Sequence, residues 1–177
     1  MFVLIIGASA SGKSEYGEKT ACNLAKGGKK LYLATMEPFG EDALYRIKRH
    51  HALRASKGFD TLEKYRDLHT CQIENYDTIL LECMSNLVAN EMFSQNQADY
   101  EQRIIKSVLH LKNSAENLVV ITNQVFSDGI NYPEETENYI KSLGKINAKL
   151  ATIADEVTEV VCGIAVKIKE KSNEHYM

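Results

Sequence analysis

The sequence contains no tryptophan, only two prolines, and four cysteines in 177 residues. Cys22, Cys71, Cys83 and Cys162 form no C-x-x-C pair. Neither a zinc site nor a disulfide framework is therefore expected, and the thiols read as reduced packing groups. No apolar run approaches the ~18 residues of a membrane span. The apolar start is too brief for a secretory signal, and a cytoplasmic location is expected. Charge of one sign is also lacking. With 21 Lys and Arg against 24 Asp and Glu, the formal net charge is −3, which argues against nucleic acid as a partner. No repeat and no low-complexity linker divides the chain. Residues 1–177 are read as one domain, with a polar tail over 169–177 that frays.

What is present is alternation. Short apolar runs (Phe2–Ile6, Leu31–Ala34, Thr78–Leu81, Leu118–Thr122, Val157–Cys162 and Ala165–Ile168) alternate with amphipathic stretches. Tyr100, Ile104, Val108, Leu111 and Ala115 recur at helical spacing, as do Tyr139, Leu143, Ile146, Leu150 and Ile153. Pro133 followed by Glu134 and Glu135 marks the start of the later helix. This pattern predicts an α/β fold with a mainly parallel sheet flanked by helices. In such a sheet, ligands collect outside the carboxyl ends of the strands. Thr35, Glu82 and Thr122-Asn123 are all expected at that rim.

The first run leads into Gly7-Ala8-Ser9-Ala10-Ser11-Gly12-Lys13-Ser14, a complete G-x-x-x-x-G-K-S phosphate loop, and a helix is predicted from Lys13 to Leu24. Strand, loop and helix together predict a P-loop NTPase fold of the RecA-like kind. Backbone N–H groups would face phosphate oxygens, Lys13 would sit on the β/γ-phosphates, and Ser14 would ligate Mg²⁺. Thr78-Ile79-Leu80-Leu81-Glu82 resembles a Walker B strand, so Glu82 is the second candidate Mg²⁺ ligand. Asp77 lies at the strand's other end and is the weaker candidate.

Arg46-Ile47-Lys48-Arg49-His50-His51-Ala52-Leu53-Arg54 gathers four cations and two imidazoles. Two readings stay open on residue types alone. One is a solvated basic helix face. The other is a clamp for a triphosphate, with an imidazole able to attack phosphorus.

These segments belong to a longer ordered set: Leu31-Tyr32-Leu33-Ala34-Thr35, Arg46-Ile47-x-x-His50 with Arg54, and Leu80-Leu81-Glu82-Cys83 with Asn90. It continues with Thr122-Asn123-x-Val125, Gly129-Ile130 with Pro133-Glu134, Gly144-x-x-Asn147, Ala154-Asp155-Glu156-Val157 and Gly163-Ile164. The set resembles the bifunctional adenosylcobinamide kinase/adenosylcobinamide-phosphate guanylyltransferase family of cobalamin biosynthesis. The resemblance implies two reactions. ATP or GTP phosphorylates adenosylcobinamide, and GTP then gives GMP to adenosylcobinamide phosphate through a guanylylated histidine, releasing pyrophosphate. It implies His50 as that histidine, with Lys13 as the other catalytic residue. Nucleotide contacts are implied at Ala34, Thr35, Met36, His51, Ala52, Leu53, Arg54, Glu63 and Glu82. It also implies a homo-oligomer, a trimer.

The chain departs from the family pattern in places. Asn123-Gln124-Val125-Phe126 stands where Asn-Glu-Val-Gly is usual, and Ala148 replaces a glutamine. The usual Arg-Pro and tryptophan downstream of the histidine are missing. These changes bear on the corrinoid side and the kinase step more than on GTP. The alternative is a small-molecule P-loop kinase with no covalent intermediate. A GTPase-like switch would need an Asn/Thr-Lys-x-Asp signature, which Asn123-Gln124-Val125-Phe126 does not supply.

Overall fold

A computed structural model describes residues 1–38, 56–94, 98–125 and 132–170. Seven strands form one sheet: β1 (Phe2–Gly7), β2 (Lys30–Ala34), β3 (Phe59–Glu63), β4 (Thr78–Leu81), β5 (Asn117–Asn123), β6 (Glu156–Val161) and β7 (Ile164–Lys169). Their order is β3-β2-β4-β5-β1-β6-β7. Every neighbouring pair is parallel except β6 and β7. The α-helices among the described residues are α1 (Lys13–Ala25), α2 (Met84–Met92), α3 (Tyr100–Ser114) and α4 (Glu134–Ile153), and a single 3₁₀ turn covers Leu68–Thr70.

The central strands read as unbroken apolar runs because both of their faces are covered. Alternation sends Phe2, Leu4, Leu31, Leu33, Ile79, Leu81, Leu118 and Val120 into one cluster, together with side chains of α2, α3 and α4. Val3, Ile5, Tyr32, Ala34, Leu80, Val119 and Ile121 enter the other, under α1. Leu4, Ile5, Leu80 and Leu81 are fully buried, each such side chain being worth about 1.5–3 kcal/mol.

The predicted strands and the three predicted helices are all found, within a residue or two at most ends. Besides the short 3₁₀ turn over Leu68–Thr70, two elements escaped the sequence pattern. β3 reads Phe59-Asp60-Thr61-Leu62-Glu63, an exposed edge strand with no apolar run. α2 follows Glu82 too closely for its short apolar pattern to stand apart from β4. Pro133 is the N-cap of α4, and Glu134, Glu135 and Glu137 load its first turn. At the other end, the Lys169 ammonium donates to the carbonyls of Ala151 (3.1 Å), Thr152 (3.1 Å) and Ala154 (2.7 Å). That cation closes carbonyls a helix end leaves open.

α1 lies hard against the sheet at Gly17. A Cβ there would meet Ile121 Cδ1 at 2.5 Å and Cγ1 at 2.9 Å. Replacing Gly17 with leucine is therefore expected to lower stability by about 1–3 kcal/mol. Urea unfolding should report a lower midpoint at unchanged slope.

Candidate functional site

β1 ends at Gly7 and α1 begins at Lys13, so the five residues from Ala8 to Gly12 become one tight turn between a buried strand and a helix N-terminus. Crowding explains its first glycine. A Cβ on Gly7 would lie 2.5 Å from Ser11 Oγ and 2.8 Å from the Val160 carbonyl oxygen. Gly12 has φ +92°, the left-handed region where a side chain is strained. Neighbouring strands hold the loop from both sides. Gln124 N donates to Gly7 O (3.1 Å), and Gly163 N in the β6–β7 turn donates to Ser11 O (2.9 Å). α1 has no side-chain cap, so its first N–H groups are left for a ligand.

Lys13 Nζ donates to Ala8 O at 3.0 Å, curled over its own loop. Burial lowers its pKa, and the nearby Cys83 sulfur opposes that shift. The Cys83 thiol is itself pushed up by burial. Ser14 follows in the first turn of α1. Ser11, 8% exposed, keeps its Oγ buried without a hydrogen bond.

Parallel register brings the other candidates to the same rim. Asn123 pairs with Gly7 across β5 and β1. Leu81 pairs with Val120 and with Leu33, which sets Glu82 beside the ends of β5 and β2. Glu82 is buried, 8% exposed, and its N–H donates to Leu33 O (3.1 Å). Ala34 ends β2 in register with Glu63, which ends β3. Thr35 is fully buried, and its hydroxyl donates to Cys83 O (2.9 Å). Tyr65 OH donates to the Glu63 carboxylate (3.0 Å). Burial first, and then that bond, raise the phenol's pKa. Thr122 Oγ1 donates to Asn147 Oδ1 (2.8 Å), and Asn147 Nδ2 to Asn123 O (3.3 Å). Asp77 sits at the opposite, amino end of β4 and accepts from Lys29 N (2.7 Å).

The basic cluster from Arg46 to Arg54, including His50, His51, Ala52 and Leu53, lies outside the described residues. So do Phe126, Gly129 and Ile130. Among the described residues, no group of three or more His, Cys, Asp or Glu could hold a metal. Ser14 and Glu82 each offer a hard oxygen, the donor type suited to an ion that keeps waters and phosphates as its other ligands. Two contributors were not legible as site-builders. Gly163 buttresses the loop through a backbone N–H, which no residue type announces. Asn90 binds backbone carbonyls far away in sequence.

A sequence profile described as "Cobinamide kinase / cobinamide phosphate guanyltransferase" matches residues 3–168. Two curated relatives, from Salmonella typhimurium and Escherichia coli, are each named "Bifunctional adenosylcobalamin biosynthesis protein CobU". They are 30% and 28% identical, over 96% of this chain and 100% of theirs. Among solved structures, a KaiC-like protein from Pyrococcus horikoshii superposes with a TM-score of 0.55 at 10% identity. That match covers 99% of this chain and 82% of the other. The expected RecA-like P-loop α/β fold is the fold found.

Two outcomes follow from the loop's geometry. Gly7→Ala must displace either Ser11 or the Val160 backbone, so triphosphate affinity should fall at least tenfold with the far-ultraviolet spectrum unchanged. A lysine attracts phosphate only when charged, and burial has lowered the pKa of Lys13. Triphosphate affinity should therefore decline as pH rises through that lowered value, earlier than for an exposed lysine. Calorimetric titration across alkaline pH reads this, and Lys13→Arg, which keeps its charge, should flatten the decline.

Proposed function

This chain belongs to the cobinamide kinase / cobinamide phosphate guanyltransferase family, and on that premise we propose that it phosphorylates adenosylcobinamide and then guanylylates the product through His50. The observation that carries the reading is the layout of the rim. The phosphate loop ends β1, whereas Ala34 and Glu63 end β2 and β3 on the sheet's other side. From β1 through β5 and β4 to β2 is three inter-strand steps, about 14 Å at ~4.8 Å each. That span suits a nucleotide whose β- and γ-phosphates lie in the loop and whose guanosine reaches Ala34, Thr35, Met36 and Glu63. Glu82, between them, falls under the middle of such a ligand.

In the transfer reaction the His50 imidazole attacks the α-phosphorus of GTP. An N–P bond forms, the Pα–O bond to the β-phosphate breaks, and pyrophosphate leaves. The loop N–H groups and Lys13 stabilise the charge of that leaving group. A phosphate oxygen of adenosylcobinamide phosphate then attacks the same phosphorus. The N–P bond breaks, a diphosphate linkage forms, and the imidazole is regenerated. In the kinase reaction, the substrate hydroxyl oxygen attacks the γ-phosphorus: an O–P bond forms, the Pγ–O bond to the β-phosphate breaks, the nucleoside diphosphate departs, and the hydroxyl proton passes to solvent. Here the loop acts by positioning and charge neutralisation. Mg²⁺, held by Ser14 and Glu82, would supply further neutralisation of phosphate charge. His51, Ala52, Leu53 and Arg54 are proposed as nucleotide contacts beside His50, and the active form as a homo-oligomer.

Incubation with α-labelled GTP tests the proposal. The protein should take up label in a bond that fails in acid and survives alkali. His50→Ala should abolish that label, whereas His51→Ala should retain it. A wild-type protein that phosphorylates adenosylcobinamide and never takes up label is a kinase without the covalent step.

A further inference from the structure

Asn90 lies near the carboxyl end of α2 and has been given no chemical role above. Its Nδ2 donates to Thr35 O at 2.8 Å and to Tyr65 O at 3.1 Å. A carboxamide nitrogen carries two hydrogens, and both are spent on backbone carbonyls from separate loops. One loop leaves β2 and the other leaves β3. The same turn of α2 is tied a second way. Arg66 Nε donates to Asn90 O (2.8 Å), and Arg66 Nη2 pairs with Glu37 Oε1 (2.5 Å). Thr35 is held again at the opposite end of α2 through its hydroxyl on Cys83 O.

Residues 35–37 and 65–66 are thus stitched to one helix and, through it, to each other. Among the described residues, the ladder of β2 and β3 runs to Ala34 and Glu63, one further backbone bond goes from Lys64 N to Ala34 O (3.0 Å), and Tyr32 meets Phe59 edge to face. Beyond the ladder the Asn90 amide and Arg66 continue the tie. We propose that Asn90 is a positioning residue for the guanosine half of the nucleotide site. It fixes the spacing between the segment after β2 and the segment after β3, while the phosphate half is built by β1, β5 and the β6–β7 turn without it. The inference rests on the proposed function, which gives Ala34, Thr35, Met36 and Glu63 to the nucleotide.

Because the two halves stand on different strands, they can be read separately. GTP engages both, and inorganic tripolyphosphate engages only the loop. Calorimetric titration of the full-length protein with each ligand is the test, on wild type, Asn90→Ala and Asn90→Asp. Asp is nearly isosteric and places two acceptors against two carbonyls. Losing two hydrogen bonds should weaken GTP about ten- to a hundredfold in both variants. Tripolyphosphate affinity should stay within about twofold of wild type. Parallel loss of both ligands would mean that Asn90 serves only the general fold, and unchanged GTP binding would mean that the tie does no positioning. Either result overturns the inference. If wild type itself binds GTP no better than tripolyphosphate, the guanosine assignment falls, and this inference falls with it.

Discussion

The junction where β1 becomes α1 leaves room for hydrogen and nothing larger. Gly7 has Ser11 Oγ and the Val160 carbonyl within the space a methyl would need, and Gly12 turns the chain in the left-handed region. The loop's shape is imposed by neighbours rather than by the loop alone. Gln124 holds its start from β5, and Gly163 holds its middle from the β6–β7 turn. An anion cradle needs N–H groups already pointing inward, because ordering them at the moment of binding would cost affinity. Here Gln124 after β5 and Gly163 in the β6–β7 turn tie down the loop's backbone carbonyls.

The parallel sheet extends the same logic sideways. Each strand that leaves the core at its carboxyl end delivers one polar group to a common rim. Asn123 arrives beside Gly7, Glu82 beside the ends of β5 and β2, and Ala34 beside Glu63. On the far side of the sheet, α2 and α4 satisfy the polar atoms that burial would otherwise penalise. Asn147 serves Thr122 and Asn123, and Asn90 serves Thr35 and Tyr65. Helices that read as mere cover for the sheet are therefore also scaffolding for the rim.

Much of this was legible in one dimension. β1, β2, β4 and β5 are apolar on both faces, and burial on both faces is what an uninterrupted run records. α3 and α4 were visible because their stripes repeat at helical spacing. β3 was hidden because an edge strand with Asp60 and Glu63 facing solvent needs no apolar run. α2 was hidden because nothing separates it from β4 except Glu82 and Cys83. The phosphate loop and Glu82 were found by residue type. Gly163 was not, since its contribution is a main-chain donor that any residue but proline carries.

The sequence by itself determined the chemistry on offer: a lysine and a serine at a helix start, a carboxylate after an apolar strand, imidazoles among arginines, and an ordered set of motifs that marks a family. Such groups are identified by their atoms, and their spacing along the chain survives as local geometry. Only the tertiary structure decided which of them meet. Strand order sets the distance from the phosphate loop to Ala34 and Glu63, and register decides that Asn123 flanks Gly7. The tie from Asn90 to Thr35 and Tyr65 joins residues 55 and 25 positions apart. Contacts of that kind depend on how a sheet is ordered, and strand order is settled by the packing of the whole core.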